Sequence, residues 1–241
     1  MIASFLIRPI AMRRDVHKQF RRFFEKYMPP DSVVYDVGCG QKPFAALLEG
    51  KVRKHIGVDV ADGFYQPHQV DLIGSAYDVP APDGIADAVI LSEVIEHLET
   101  PLLAVQEAHR LLKPGGLVFL SFPFLYPQHA APRDYLRFTE FYLANKIAGE
   151  NLDIVESSRL GGYWYLMGMY ASMYLQELDR GVLKMTMLVK VASAVVGLIC
   201  LALHKFEEVL LRIAGKDVAE IRAKWTANYQ VVLRKSAVGI E

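Results

Sequence analysis

Val33-Val34-Tyr35-Asp36-Val37-Gly38-Cys39-Gly40 is the stretch on which the reading of this chain turns. A short apolar run that breaks into glycines is a buried strand ending in a tight turn, where backbone passes close to a ligand. Just downstream, His55-Ile56-Gly57-Val58-Asp59-Val60 reads as a second strand that ends in an acid. A glycine turn after one strand and a carboxylate at the tip of the next make a nucleoside site, with the acid on the ribose hydroxyls. The third glycine of a dinucleotide G-x-G-x-x-G pattern would fall where Pro43 stands. The chain therefore lacks what lets a helix N-terminus close on a pyrophosphate.

Strands and helices alternate on both sides of this pair. Ser32–Val37, Lys54–Val60, Gln69–Ile73, Ala86–Ser92 and Leu117–Phe122 read as strands. Phe44–Leu48 opens one helix, and Pro101–Leu112 is another, closed by Lys113-Pro114-Gly115-Gly116. Such alternation predicts an α/β fold with a mostly parallel sheet, whose ligands bind beyond the carboxyl ends of the strands. Asp153–Ser158 and Asn228–Arg234 read as strands six and seven, with apolar helical sequence between them. The expected organisation is a basic N-terminal helix (1–30), a core (31–162), an apolar helical insertion (163–226), and a final strand with a tail (227–241).

The 27 basic and 27 acidic residues balance, so no global field favours nucleic acid. Two cysteines, Cys39 and Cys200, make neither a zinc set nor a disulfide framework, and no ligand cluster demands a metal. A cysteine inside the glycine turn suits a reducing compartment. Met1–Ile10 has no small-residue cleavage site after it, so no signal peptide is expected. The expected location is cytoplasmic, with peripheral contact at the inner face of a membrane.

Two segments point toward that membrane. Residues 8–28 carry Arg8, Arg13, Arg14, Lys18, Arg21, Arg22 and Lys26, with Val16, Phe20, Phe23, Phe24 and Tyr27 at helical spacing, before Pro29-Pro30 ends the helix. Such a helix packs on its domain with a solvated basic face, or draws the chain to an anionic surface or phosphorylated substrate. Tyr163–Leu178 is rich in Tyr, Met and Trp, and Met185–Leu203 is nearly uniformly apolar. The insertion reads as a helical cap or homodimer interface, as a monotopic membrane attachment, or as a span. A single span conflicts with a last strand that returns to the same sheet.

In order and spacing, the chain resembles the class I S-adenosylmethionine-dependent methyltransferases, type 11-like. Four signals carry this: Asp36-Val37-Gly38-Cys39-Gly40; Gly57-Val58-Asp59-Val60; Asp78–Gly84 leading into Ala86–His97; and Leu111-Leu112-Lys113-Pro114-Gly115-Gly116. The resemblance covers about residues 30–160 and the last strand. It implies a Rossmann-like sheet of seven strands, the last antiparallel, and S-adenosylmethionine as cofactor. It also implies that Asp36, Gly38, Cys39 and Gly40 hold the methionine end, and that Asp59 holds the ribose with Val60 beside the adenine. Ser75 and Ala76 would meet the adenine edge, and Ser92 and Glu93 would lie beside the methyl group. Many relatives have aspartate where Ser75 stands and glycine where Lys42 stands. Glu96-His97 recurs in the family irrespective of substrate, which makes His97 a pocket-wall residue.

Methyl transfer needs alignment and, for a hydroxyl acceptor, removal of a proton. The segment after strand five, Ser121–Thr139, gathers Tyr126, His129, Arg133, Asp134, Tyr135 and Arg137. It resembles the His-x-x-Pro-x-Asp-Tyr-x-Arg-Phe/Tyr-Thr segment of methyltransferases associated with polysaccharide and cell-envelope glycan synthesis. His129 is the candidate general base, Asp134 either orients it or binds substrate, and Tyr135 joins them as a catalytic candidate. Arg133, Arg137 and Tyr126 are the substrate-binding candidates. The bland alternative is an ordered lid in which Arg137 pairs with Asp134. The expected function is O-methylation of a saccharide or lipid-linked glycan at a membrane surface. The alternatives are a lipid or quinone-like acceptor and a non-catalytic cofactor-binding module.

Overall fold

The computed structural model describes residues 12–61, 70–147, 151–178 and 186–236. Several expectations fall partly outside them: the start of the basic helix with Arg8, Gln69, Ala148, the middle of the apolar insertion and the tail. In chain order the elements are α1 (Met12–Tyr27), β1 (Val33–Val37), α2 (Ala45–Leu48), β2 (Lys54–Asp59), β3 (Leu72–Ile73) and β4 (Ala86–Ser92). A 3-10 turn (Ile95–His97), α3 (Pro101–Leu111) and β5 (Leu112–Pro123) follow, then α4 (Glu140–Tyr142), which continues as a π turn over Leu143–Ile147. The rest is β6 (Leu152–Gly161), α5 (Tyr163–Leu178), α6 (Thr186–Ile213), α7 (Val218–Ala223) and β7 (Thr226–Lys235).

The seven strands form one sheet in the order β3-β2-β1-β4-β5-β7-β6. The pairs from β3 to β5 are parallel. β7 runs against both its neighbours: Lys235 Nζ donates to the carbonyl of Leu112 at the start of β5, Leu125 N donates to Thr226 O beyond its end, and Ser236 N donates to Asn151 O before β6. The order reverses between β1 and β4, so the open crevice lies at the tips of those strands. β1 is buried along its whole length, as its unbroken apolar run requires.

Two boundaries differ from the sequence expectation for a physical reason. Lys113–Gly116 ends α3 but belongs to β5, because a bulge between Ala86 and Ala88 lets the pairing pass from Leu112 to Leu117. The expected helix Glu140–Ala148 is one capped turn running into a π turn: Thr139 Oγ1 accepts from Tyr142 N, but regular α-helical bonding does not continue.

The chain divides into two compact units. The larger holds residues 16–124 and 128–158 and the chain from Tyr229 onward. Its core includes Val33, Val58, Val89, Leu91, Leu120 and Phe122. Within it the apolar face of α1 is buried at Phe20, Phe23 and Phe24, with Phe20 stacked on Phe44 and Phe24 edge-on to Phe119. The basic face of α1 is anchored on Glu156, which accepts from Arg22, from Lys26 Nζ at 2.6 Å and from Tyr27 Oη at 2.6 Å. The smaller unit holds 125–127 and 159–228, with the described residues up to Asp15. In it α5 and α6 pack as a hairpin, and Tyr165 Oη donates to Asp15 at 3.0 Å. Gly161 closes against α7's end so tightly that a Cβ would lie 2.2 Å from Trp225 O.

Candidate active site

β1 delivers the chain to Gly38, whose φ of +71° favours glycine. A Cβ there would sit 2.5 Å from Val94 Cγ2. The amides of Gly38 and Cys39 both donate to Val58 O, at 2.8 and 3.1 Å, which ties the turn to β2. Gly40 N donates to Asp59 Oδ2 at 2.7 Å, and Val60 N to Asp59 Oδ1 at 2.8 Å. These two backbone donors fix the carboxylate and leave each oxygen a lone pair for a further hydroxyl.

A cavity of about 370 Å³ opens at these tips. Gly38, Asp59, Val60, Ser75 and Ala76 line one part of it. Asp36, Cys39, Gly40 and Ser92 are not on its wall. The buried Asp36 carboxylate lies 3.0 Å from His55 Nε2; burial pushes its pKa up, and the bond to His55 pulls it back. The Cys39 thiol is packed under the turn, and burial, aided by the charge of Asp36, raises it to about 12, so it stays neutral. Lys42, where relatives often carry glycine, adopts φ +47°, reaches Asp71 in an ion pair and donates to His55 O at 3.1 Å. Ser92 sits behind the wall, its Oγ 2.9 Å from Ser121 Oγ. Ser121 Oγ donates to Glu93 Oε1 at 2.7 Å, which turns Glu93, at φ +56°, onto the wall.

Arg133, Tyr135 and His97 line the remaining part of the cavity. The loop that carries the first two is bonded to the 3-10 turn: Tyr135 N donates to Glu96 O at 2.9 Å, and Arg133 O lies 2.5 Å from His97 Nδ1. Asp134 accepts from His129 N at 2.8 Å and from both terminal nitrogens of Arg137, at 2.6 and 2.8 Å. The Arg137 guanidinium holds the Asp134 carboxyl far below the usual carboxylate range. Arg137 thus stands in the framework of the loop, as the ordered-lid alternative expects. His129 Nδ1 lies 3.4 Å from Asp134 Oδ2, and its ring meets that of His97 edge-on at 4.9 Å. Tyr126 belongs to the smaller unit, where its charge adds to the burial that raises Tyr165.

Glu96 is the residue that sequence reasoning undervalued. Its side chain is fully buried, and neither Oε1 nor Oε2 has a hydrogen-bond partner. Burial pushes its carboxyl well above the ordinary range, and the charge of Glu93 adds to this. The cue in the sequence is an acid beside a histidine, between Val94-Ile95 and Leu98. Tyr77 and Thr100 also went unnoticed; both line the cavity, and Thr100 N donates to Tyr77 Oη at 3.2 Å.

Residues 35–120 match the family described as Methyltransferase domain. The chain carries a class I methyltransferase domain. It is similar to a Mycolicibacterium smegmatis protein named "Probable S-adenosylmethionine-dependent methyltransferase", with 35% identity over 37% of this chain and 37% of that one. It is also similar to a ubiquinone biosynthesis O-methyltransferase of Leptothrix cholodnii, with 31% identity over 36% of this chain and 43% of the relative. The chain thus spans less than half the length of these curated relatives. The fold matches the crystal structure of the YcgJ protein from Bacillus subtilis at TM-score 0.55 and 13% identity, over 94% of this chain and 100% of that one.

The methyl donor of such a domain is S-adenosylmethionine, and the residues fit it. Asp59 offers acceptor lone pairs for two ribose hydroxyls. Val60, Ala76 and Leu98 give an apolar bed for a base, and the Gly38 turn brings backbone to the cavity without a side chain in the way.

Proposed function

We propose that this chain transfers the methyl group of S-adenosylmethionine to a hydroxyl of a saccharide, carried on a lipid, at the cytoplasmic face of a membrane. The observation that carries this reading is the polar part of the cavity that Asp59 also lines, where His97, Arg133 and Tyr135 stand on the wall and His97 lies beside Glu96 and His129. S-adenosylmethionine supplies an electrophilic methyl on a positive sulfur, so the protein must align the acceptor and take its proton. Arg133 and Tyr135 offer hydrogen-bond donors to a polyhydroxylated acceptor. Deprotonation falls to the cluster of Glu96, His97 and His129.

The membrane part rests on α6. Met187–Ile213 is long and apolar enough to cross a membrane, and only 22% of its most apolar window is buried. Met187, Leu188, Val191, Val195, Leu198 and Ile199 are exposed at helical spacing. This stripe favours monotopic attachment, in which an apolar face rests at the headgroup boundary. A second copy of the chain covering the same stripe is the competing arrangement. The second functional reading, a lipid or quinone-like acceptor, is favoured by the same stripe and by the ubiquinone-related relative.

The test is transfer of labelled methyl from S-adenosylmethionine into envelope extracts, followed by solvent partition, with Asp59→Ala as control. Label in the organic phase that glycan release removes supports the lipid-linked saccharide. Label that stays with the lipid supports the quinone-like reading. No label, with cofactor binding confirmed, overturns both. In the same assay His129→Ala is expected to lower transfer about 100-fold or more, the usual scale for losing a group that handles the acceptor's proton.

A further inference from the structure

Glu96, His97 and His129 each offer one ligand atom, and these atoms lie within 4.8 Å of one another. His97 Nε2 is 3.6 Å from Glu96 Oε1, and His129 Nε2 is 4.0 Å from the same oxygen. A tetrahedral ion with ligands at about 2.1 Å sets its donor atoms about 3.4 Å apart, so both contacts need only a fraction of an ångström to close.

The orientation of the two rings is the second observation. His97 Nδ1 is bonded to the carbonyl of Arg133, which makes Nδ1 the protonated nitrogen and leaves a lone pair on Nε2. His129 Nδ1 faces Asp134 Oδ2 at 3.4 Å. Arg137 Nη2 also comes within 3.4 Å of that Nδ1 and can only donate, so Nδ1 accepts from it here and must turn its proton to Asp134 for Nε2 to become a ligand. The His97 imidazole therefore turns Nδ1 to an oxygen and a lone pair on Nε2 toward Glu96 Oε1, and His129 Nε2 lies near that same Glu96 oxygen. Metal-bound histidines are held in this way, by a carbonyl or a carboxylate behind the ring.

The third observation is Glu96 itself. A fully buried carboxylate with two unpartnered oxygens requires a compensating positive charge or a proton. The His97 Nε2 lone pair, 3.6 Å from one of its oxygens, adds repulsion, which a cation between the three atoms removes. We propose that Glu96, His97 and His129 bind a divalent first-row transition-metal ion of the zinc class. Two imidazoles and one carboxylate suit such an ion better than magnesium or calcium, which prefer all-oxygen sets.

Three protein ligands leave a coordination position open, and His97 sets the site at the cavity wall. The use of the ion rests on the hydroxyl-methylation reading; its binding does not. An acceptor hydroxyl on the ion becomes more acidic and loses its proton to solvent. An oxygen lone pair then forms the bond to the methyl carbon, and the carbon–sulfur electron pair stays on sulfur. With the ion bound, the cluster would favour deprotonation through the ion that His129 helps to hold, so the loss expected for His129→Ala stands.

The experiment uses the full chain stripped with chelator and titrated with Co2+, read by visible absorption, with S-adenosylhomocysteine calorimetry on the same samples. One Co2+ per chain with a visible ligand-field band is expected. His97→Ala, His129→Ala and the isosteric Glu96→Gln should abolish the band while retaining S-adenosylhomocysteine binding, and His17→Gln should leave it unchanged. Absence of stoichiometric Co2+ in the wild-type chain, or a band that survives all three substitutions, overturns the site. Wild-type protein that binds S-adenosylhomocysteine but no Co2+ sinks the ion and spares the methyltransferase reading. Co2+ bound without methyl transfer to any acceptor does the reverse.

Discussion

Arg137 grips Asp134 with both terminal nitrogens, Nη1 at 2.6 Å from Oδ1 and Nη2 at 2.8 Å from Oδ2. The carboxylate is almost wholly buried, and it also accepts the backbone N–H of His129. This pair fixes the loop that forms the polar wall.

The linkage has a definite sign. The folded-state pKa of Asp134 is depressed, chiefly by the hydrogen bonds from Arg137. Its stabilisation is complete above the unfolded value of about 4 and is lost progressively as pH falls below it. Asp134→Asn is expected to cost about 1.5–3 kcal/mol near neutral pH, the scale of hydrogen bonds to charged groups. It should also flatten the acid limb of the stability curve. Denaturation of both proteins between pH 7 and pH 3 checks this; parallel curves would refute it.

Gly38 is constrained twice, by φ +71° and by Val94 Cγ2 at 2.5 Å from any added Cβ. Gly38→Ala should lower the melting temperature and weaken S-adenosylhomocysteine binding about tenfold or more, since a left-handed alanine alone costs about 1–2 kcal/mol. Calorimetry and thermal melting measure the two effects. Unchanged affinity would mean that the turn is not at the ligand.

Asp59→Asn keeps the shape of the side chain but replaces one backbone-facing oxygen with a donor. The loss of charge-assisted bonds to ribose should cost about 1.5–3 kcal/mol, or roughly 10- to 150-fold in affinity. Titration with S-adenosylhomocysteine and with its 2′-deoxy analogue checks the assignment. The wild-type chain should discriminate between them and the variant should not.

On α6, Leu198 and Ile199 are exposed at 58% and 54%. Leu198→Glu with Ile199→Glu should abolish co-flotation with vesicles that contain anionic lipid, without changing S-adenosylhomocysteine affinity. Failure of the wild-type chain to float, together with a monodisperse dimer in the absence of detergent, would assign the stripe to a second copy.

One side of the cavity was legible in the sequence because its residues are close along the chain. Gly38 and Asp59 follow from a glycine turn and an acid at a strand tip, whereas Ser75 and Ala76 were expected only from the family resemblance; all four line the cavity. Asp36 was harder, since its carboxylate turns to His55, a partner fixed only by the parallel register that sets Asp36 opposite Gly57. The Glu96, His97 and His129 cluster was illegible as a unit: 33 positions separate Glu96 from His129 in the chain, and no short pattern marks them. The π turn after Thr139 was missed because Glu140–Ile147 has ordinary helical composition, and helix propensity does not encode a change of hydrogen-bond register.

The loop that faces Asp59 is moored through its main chain. Tyr135 N and Leu136 N donate to Glu96 O, and Arg133 O holds His97. None of these moorings reads the side chain at Arg133 or Tyr135, and both side chains face the cavity. The backbone moorings at Tyr135 therefore survive a change of its side chain, so a small library at that position could retune which acceptor is taken while leaving the loop in place.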